Sequence, residues 1–151
     1  MNLDRRLSSA LHALLHMARH PGPVTSEELG RWLGANPVVV RRTMGPLRDA
    51  GLVRAEKGRG GGWSLHRDLE AIHLYDVHAA LGGPSVFAVG LRNHRPECQV
   101  EQAVNRHLEA TFAEAEALLM RQLQAISLAQ LAAELHQPGC EAPPFLRSTT
   151  D

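Results

Sequence analysis

Aromatic residues are scarce in this chain of 151 residues: two Trp, one Tyr and three Phe. So thin a supply argues against a binder of RNA or single strands, which stacks bases on aromatic platforms. Cysteine is scarcer, with Cys98 and Cys140 alone. That is too few for the disulfide scaffold of a small secreted domain, and it suits a reducing compartment. No clean apolar run reaches the roughly 18 residues of a membrane span. Arg5 and Arg6 ahead of Leu7–Ala18 imitate a secretory signal, but Ser8, Ser9, His12 and His16 interrupt the apolar stretch and no small-residue cleavage site follows. A cytoplasmic protein is expected. Paired carboxylates, a serine-nucleophile motif and a Cys–His arrangement are also missing, so no enzyme is expected.

What is present is ordinary in amount and uneven in placement. Apolar residues make up 44% and charged residues 21%, enough for one domain, or one domain with an appended helix, to fold without a staple. The net charge is zero, yet residues 1–68 hold eleven Arg or Lys against six Asp or Glu, which leaves +5 there and −5 in the remainder. A basic half points to a polyanionic partner and the acidic half to a different task. In the first helix Leu7, Leu11, Leu14, Leu15 and Ala18 mark an apolar stripe of helical period.

The segment after it is the most informative. Thr25-Ser26-Glu27-Glu28 is a capping box, flanked by Val24 and Leu29 as a hydrophobic staple. Leu29, Trp32 and Leu33 form the apolar face of a helix of about two turns, and Gly34 ends it. Asn36 and Pro37 then open a second helix as N-cap and first residue. Val40, Met44 and Leu47 point inward, and Val38, Val39, Arg41 and Arg42 are left on the outer side. Gly51 and Leu52 close the helix in a Schellman cap. Two short helices about a tight turn are a helix-turn-helix, whose second helix reads the major groove: Arg bonds guanine or phosphate, and Val meets the thymine methyl. Free amides at the helix start would hold a phosphate. Pro46 is expected to bend or break this helix midway, placing the reading residues before it.

Leu52–Glu56 and Trp63–His66 flank the turn Lys57-Gly58-Arg59-Gly60-Gly61-Gly62, a hairpin that reads as a wing. Lys57 and Arg59 supply tip charge for phosphate or minor groove, with Arg48 and Arg5 as further phosphate contacts. The glycine run lacks the Lys-hydroxyl pair of a nucleotide loop. Beyond it, Ile72–Leu81 reads as a helix stopped by Gly82-Gly83-Pro84, and 85–97 as a polar loop. Cys98 to Ile126 reads as a long helix with the stripe Val100, Val104, Leu108, Phe112, Ala115, Leu119, Leu123 and Ile126. Ser127–Gln130 is a second capping box opening a short helix to His136.

Asn36-Pro37-Val38-Val39-Val40-Arg41-Arg42, Gly58-Arg59-Gly60-Gly61-Gly62-Trp63 and Cys98-Gln99-Val100-Glu101 together resemble the Rrf2 family of bacterial winged-helix regulators, in particular its YwnA type. The resemblance covers residues 3 to about 136. It implies a mainly α fold: a winged helix-turn-helix domain with a two-stranded wing, plus a long C-terminal dimerisation helix. The divisions expected are 1–83 for DNA binding, 84–97 as connecting or sensor loop, 98–136 for the dimerisation and packing helices, and 137–151 as a mobile tail. The implied function is a homodimeric regulator, a repressor on double-stranded DNA, whose two recognition helices about 34–36 Å apart read a rough palindrome.

Family members with an iron–sulfur cluster carry three cysteines in the loop before the long helix. Only Cys98 stands there in this chain, which argues against a cluster, so no cofactor is expected. A lone thiol at a helix start near Arg92, His94 and Arg95 is instead a candidate oxidant sensor. His12, His16 and His20 share one helix edge but have no Cys, Asp or Glu beside them, and they read as surface histidines rather than a metal site. Two alternatives stay open: a winged-helix module that binds a protein partner, and a cluster- or metal-loaded sensor. Steep salt dependence marks the DNA reading, and visible absorbance marks the loaded sensor.

Overall fold

The computed structural model describes residues 4–87, 91 and 96–135. The tail expected over 137–151 and most of the polar loop lie outside the described residues. Helix α1 (Arg6–Ala18) is the element the others gather round, touching α2 (Ser26–Leu33), α3 (Pro37–Asp49) and three further elements. Its fully covered face is Ala10, Ala13, Leu14 and Met17, a rotation away from the expected leucine stripe. Leu7 and Leu11 pack beside the core, and Leu15 and Ala18 are only half-buried. A helix contacted on several sides needs small side chains where its neighbours come closest, so the alanines take the centre and the leucines fill the margins.

The capping box of α2 forms as expected. The Glu28 amide donates to Thr25 Oγ1 (3.2 Å) and the Thr25 amide to Glu28 Oε2 (2.8 Å). The backbone amide and then the hydroxyl of Thr25 hold the Glu28 carboxyl below the usual carboxylate range. Val24 and Leu29 are fully buried, which fixes the approach angle of the chain. Gly34, at φ +61°, ends the helix in the left-handed conformation that a side chain would disfavour.

Helix α3 starts on Asn36, whose Oδ1 accepts from the Val38 amide (2.8 Å). It runs unbroken through Pro46 to Asp49, so of the expected bend or break the break does not occur. A proline inside a helix costs about 3 kcal/mol, while complete burial of a Leu or Met side chain is worth about 1.5–3 kcal/mol each. Met44 and Leu47, both at 0% exposure, hold the helix to the core on either side of the proline. The Schellman cap is complete: the Leu52 amide donates to the Leu47 carbonyl (2.9 Å) and the Gly51 amide to that of Arg48 (2.8 Å).

Strands β1 (Val53–Glu56) and β2 (Gly62–Leu65) pair antiparallel as the wing. An unexpected rung anchors it. Val24, just before α2, exchanges two backbone hydrogen bonds with Trp63 (2.9 and 2.7 Å). Gly62 is required at this crossing, because a Cβ there would lie 2.5 Å from the Val24 carbonyl oxygen. After a single 3-10 turn at Leu69–Ala71 come α4 (Leu74–Ala80), α5 (Gln99–Ala125) and α6 (Leu128–Glu134). The Leu128 amide donates to the Ile72 carbonyl (2.8 Å) and the Leu74 amide to that of Ile126 (3.0 Å). With Ile72 and Leu128 both fully buried, the end of α5 is tied back to the same core as the helix-turn-helix. The second capping box, Ser127 with Gln130, forms at this junction.

Candidate nucleic-acid interface

The outer face of α3 is built by its own inner face. Burial of Val40, Met44 and Leu47 sets the helix rotation, and that rotation leaves Val38 and Val39 about half exposed and Arg41 and Arg42 in solvent. Arg42 has no hydrogen-bond or ion-pair partner among the described residues. Arg41 does: its Nη2 lies 2.8 Å from Glu27 Oε1 on α2. Arg48 is likewise paired, with Asp49 at 2.8 Å. Such exposed pairs are worth about 0–1 kcal/mol, so either arginine leaves its carboxylate at little cost when a phosphate or base offers more. The amides expected to be free at the start of α3 are already satisfied. Val38 donates to the Asn36 side chain, and Val39 and Val40 donate to the Asn36 carbonyl (2.9 and 3.1 Å). An anion at this end would have to be held by side chains.

Beyond the helix, the wing carries Lys57 and Arg59 in its exposed turn, unpaired among the described residues, with Gly58 and Gly60 at positive φ. Neighbouring Arg54 is engaged with Ser64 Oγ (3.0 Å) and Glu56 (3.4 Å). Sequence reasoning missed what holds the wing. Trp63 is buried, and its indole Nε1 donates to Ser26 Oγ (2.9 Å), fastening the hairpin to the first turn of α2. The available signal was a tryptophan in the inward register of a short strand.

Arg5 also finds a setting. It borders a cleft of about 160 Å³ between the start of α1 and the side of α3, with Ser9, Val39 and Thr43 on its walls. A cation at residue 5 thus stands on the same side of α3 as Val39. Arg6, next to it, is bound to Asp4 at 2.7 Å, and that hydrogen bond draws the Asp4 carboxyl down to about 2.

The candidate sensor thiol and the row of surface histidines lie apart from this face. Cys98 is a free, exposed thiol at the N-cap of α5; Arg92, His94 and Arg95 lie outside the described residues. Of the histidine row, His12 and His16 come together, Nε2 to Nε2 at 2.9 Å, while His20 turns its Nδ1 to the Gly22 carbonyl (2.8 Å). Burial, then the neighbouring His12 and Arg19, push His16 below the usual imidazole range.

Among the described residues the acidic half presents an open helix face. None of the 27 residues of α5 is buried. Val100 is 72% exposed, and Val104 and Leu108 are uncovered with it. Phe112 alone in that stripe has an aromatic neighbour, stacking on Phe87 at 6.5 Å.

This chain is similar to known proteins along most of its length. YffB of Lactococcus lactis, named as an HTH-type transcriptional regulator, is 31% identical over 138 residues, covering 89% of this chain and 88% of YffB. YwnA of Bacillus subtilis, named in the same way, is 28% identical over 126 residues, covering 83% and 93%. The structure of CymR, the global cysteine regulator of B. subtilis, superposes with a TM-score of 0.64 at 23% identity, covering 89% of this chain and 98% of CymR. The pattern of the Rrf2 family, described as iron-dependent transcriptional regulators, matches residues 3–134. With a capped helix-turn-helix, a basic wing and a matching pattern across both halves, this chain belongs to the Rrf2 family of DNA-binding transcriptional regulators.

Proposed function

We propose that the protein is a homodimeric repressor that binds a rough palindrome, with Val38, Val39, Arg41 and Arg42 in the major groove. Lys57 and Arg59 of the wing, with Arg48 and Arg5, hold phosphate or minor groove. The observation that carries this reading is the outer face of α3, where two valines and Arg42, unpaired among the described residues, project from a helix capped and buried along its opposite side. The dimer rests on α5, whose stripe leaves Val100, Val104 and Leu108 exposed among the described residues. The place of action is the cytoplasm, where the DNA is.

The family description raises iron, so the donor set matters. A cluster is held by several thiolates. The chain has Cys98 and Cys140, and Cys98 is the single cysteine of the described residues, exposed at a helix start. These residues do not fit a resident iron–sulfur cluster, and no step of the proposed mechanism runs through one. What remains for Cys98 is chemistry of its own thiol: oxidation at the start of α5 would alter the arm that carries the apolar stripe.

Selection of bound duplexes from a random pool, at two salt concentrations and with or without mild peroxide, tests these parts together. Enrichment of a two-fold-related sequence, with binding that weakens steeply in salt, supports the repressor. Salt-insensitive binding to proteins with no duplex enriched would favour the protein-interaction reading instead. Release by peroxide from the parent but not from Cys98→Ser supports the thiol role, and equal release from both removes it.

A further inference from the structure

Outside the DNA-facing surface, one cluster of ligating side chains has geometry that its spacing alone did not settle. His12 and His16 lie one turn apart on α1, with Nε2 atoms 2.9 Å from each other and ring centroids 4.6 Å apart. Two imidazole nitrogens bound at about 2.0–2.1 Å to one first-row cation stand about 2.9–3.3 Å apart for bite angles of about 90–109°. The two nitrogens therefore already stand at chelating separation on the exposed edge of the helix. We propose that His12 and His16 form a chelating pair for an imidazole-preferring divalent cation of the nickel, copper and zinc class, with water completing the coordination.

Three observations support a built pair rather than two surface rings. His16 is held in place: its ring packs on Trp32 of α2 at 5.1 Å, so one arm of the chelate is fixed before the ion arrives. His12 is exposed and gives the ion an open approach. The ring–ring hydrogen bond places a proton between two neutral imidazoles. An ion takes its position once the donating ring shifts that proton to Nδ1 through solvent, so neutral rings bind without net proton release. Cations of this class favour imidazole nitrogen, unlike the oxygen-seeking magnesium and calcium. His20 stands apart from the pair, with its Nδ1 on the Gly22 carbonyl and its ring beside Trp32 at 5.9 Å, and no group of three ligating side chains converges among the described residues.

Trp32 supplies the readout. A paramagnetic ion at this pair sits beside the indole that packs on His16, whereas Trp63 is buried against Ser26 under the wing. Titration of the full chain with nickel alone should quench the Trp32 share of the fluorescence saturably, and zinc should reverse it. The quench should vanish in Trp32→Phe. His12→Gln should raise the half-saturating concentration by about tenfold or more, the scale on which lost ligand support weakens metal sites, and His20→Gln should leave it unchanged. His12 is exposed, so His12→Gln leaves the packing of α1 intact, and unchanged circular dichroism verifies this. An unaltered titration in His12→Gln, or no saturable quench of the parent, overturns the proposal whether or not the chain binds DNA.

Discussion

Arg42 and Ser26 mark the two ways a single residue matters here. Arg42 sits exposed on α3 with no carboxylate to hold it among the described residues, unlike Arg41 on Glu27 and Arg48 on Asp49. If it bonds guanine bidentately, Arg42→Ala should cost about 1–3 kcal/mol at the preferred sequence and much less elsewhere. Anisotropy titrations against selected and scrambled duplexes measure that difference, while light scattering should show the assembly mass unchanged. Discrimination as sharp as the parent's would place recognition elsewhere. Ser26 acts through the fold. Ser26→Ala leaves the buried Trp63 indole N–H without its acceptor, a loss of about 1–3 kcal/mol. The expected result is a lower denaturation midpoint, with wing contacts loosened before the core. The outer valines and arginines of α3 were legible from helical period. The Arg41–Glu27 and Trp63–Ser26 partnerships were not, because they join residues 14 and 37 positions apart that no local pattern relates.

At the level of elements, sequence reading succeeded where local chemistry decides and failed where packing does. Both capping boxes, the Asn36-Pro37 start of α3 and the Gly51-Leu52 Schellman cap depend on residues within a turn of one another, and all formed. Pro46 does not break the helix, because the local penalty is outweighed by the burial of Met44 and Leu47 around it. The α1 face was misread because hydrophobicity ranks leucine above alanine, while close contact with several neighbours favours alanine. The wing has parts of both kinds: its hairpin was legible from the glycine turn, and its rung to Val24 was not. Since that rung and Trp63 fix the base while Lys57 and Arg59 stay in the exposed turn, the tip should act as a charge carrier. Lys57→Ala and Arg59→Ala should each weaken binding to all duplexes alike. Each should also reduce the slope of log affinity against log salt by about one per lost phosphate contact. Salt titrations on two unrelated sequences check this, and a loss confined to one sequence would make the wing a reader instead.

For the whole molecule the decisive feature is α5, a rod about 40 Å long by its 27 residues. Its apolar period was legible, but a period identifies a face and not what covers it. Among the described residues the first part of the stripe stays open, with Val104 half exposed and Leu108 at 37%, while both ends of the following junction are stitched to the core through Ile72, Leu74 and Leu128. The exposed end of the stripe takes no part in the buried core, so substitutions there separate assembly from folding. Val104→Asp with Leu108→Asp places two charges where a second copy would bury them. The parent should scatter as twice the 16.5 kDa chain and melt at a temperature that rises with concentration; the double variant should scatter as one chain and melt independently of concentration. Its helix content should be nearly unchanged. Affinity for a two-fold-related duplex should fall by about 10²–10⁴, since each winged domain then binds its half-site without the effective concentration supplied by its twin. A variant that becomes monomeric yet holds the full site as tightly as the parent would show that one domain suffices, and the two-fold reading of the operator would fail with it.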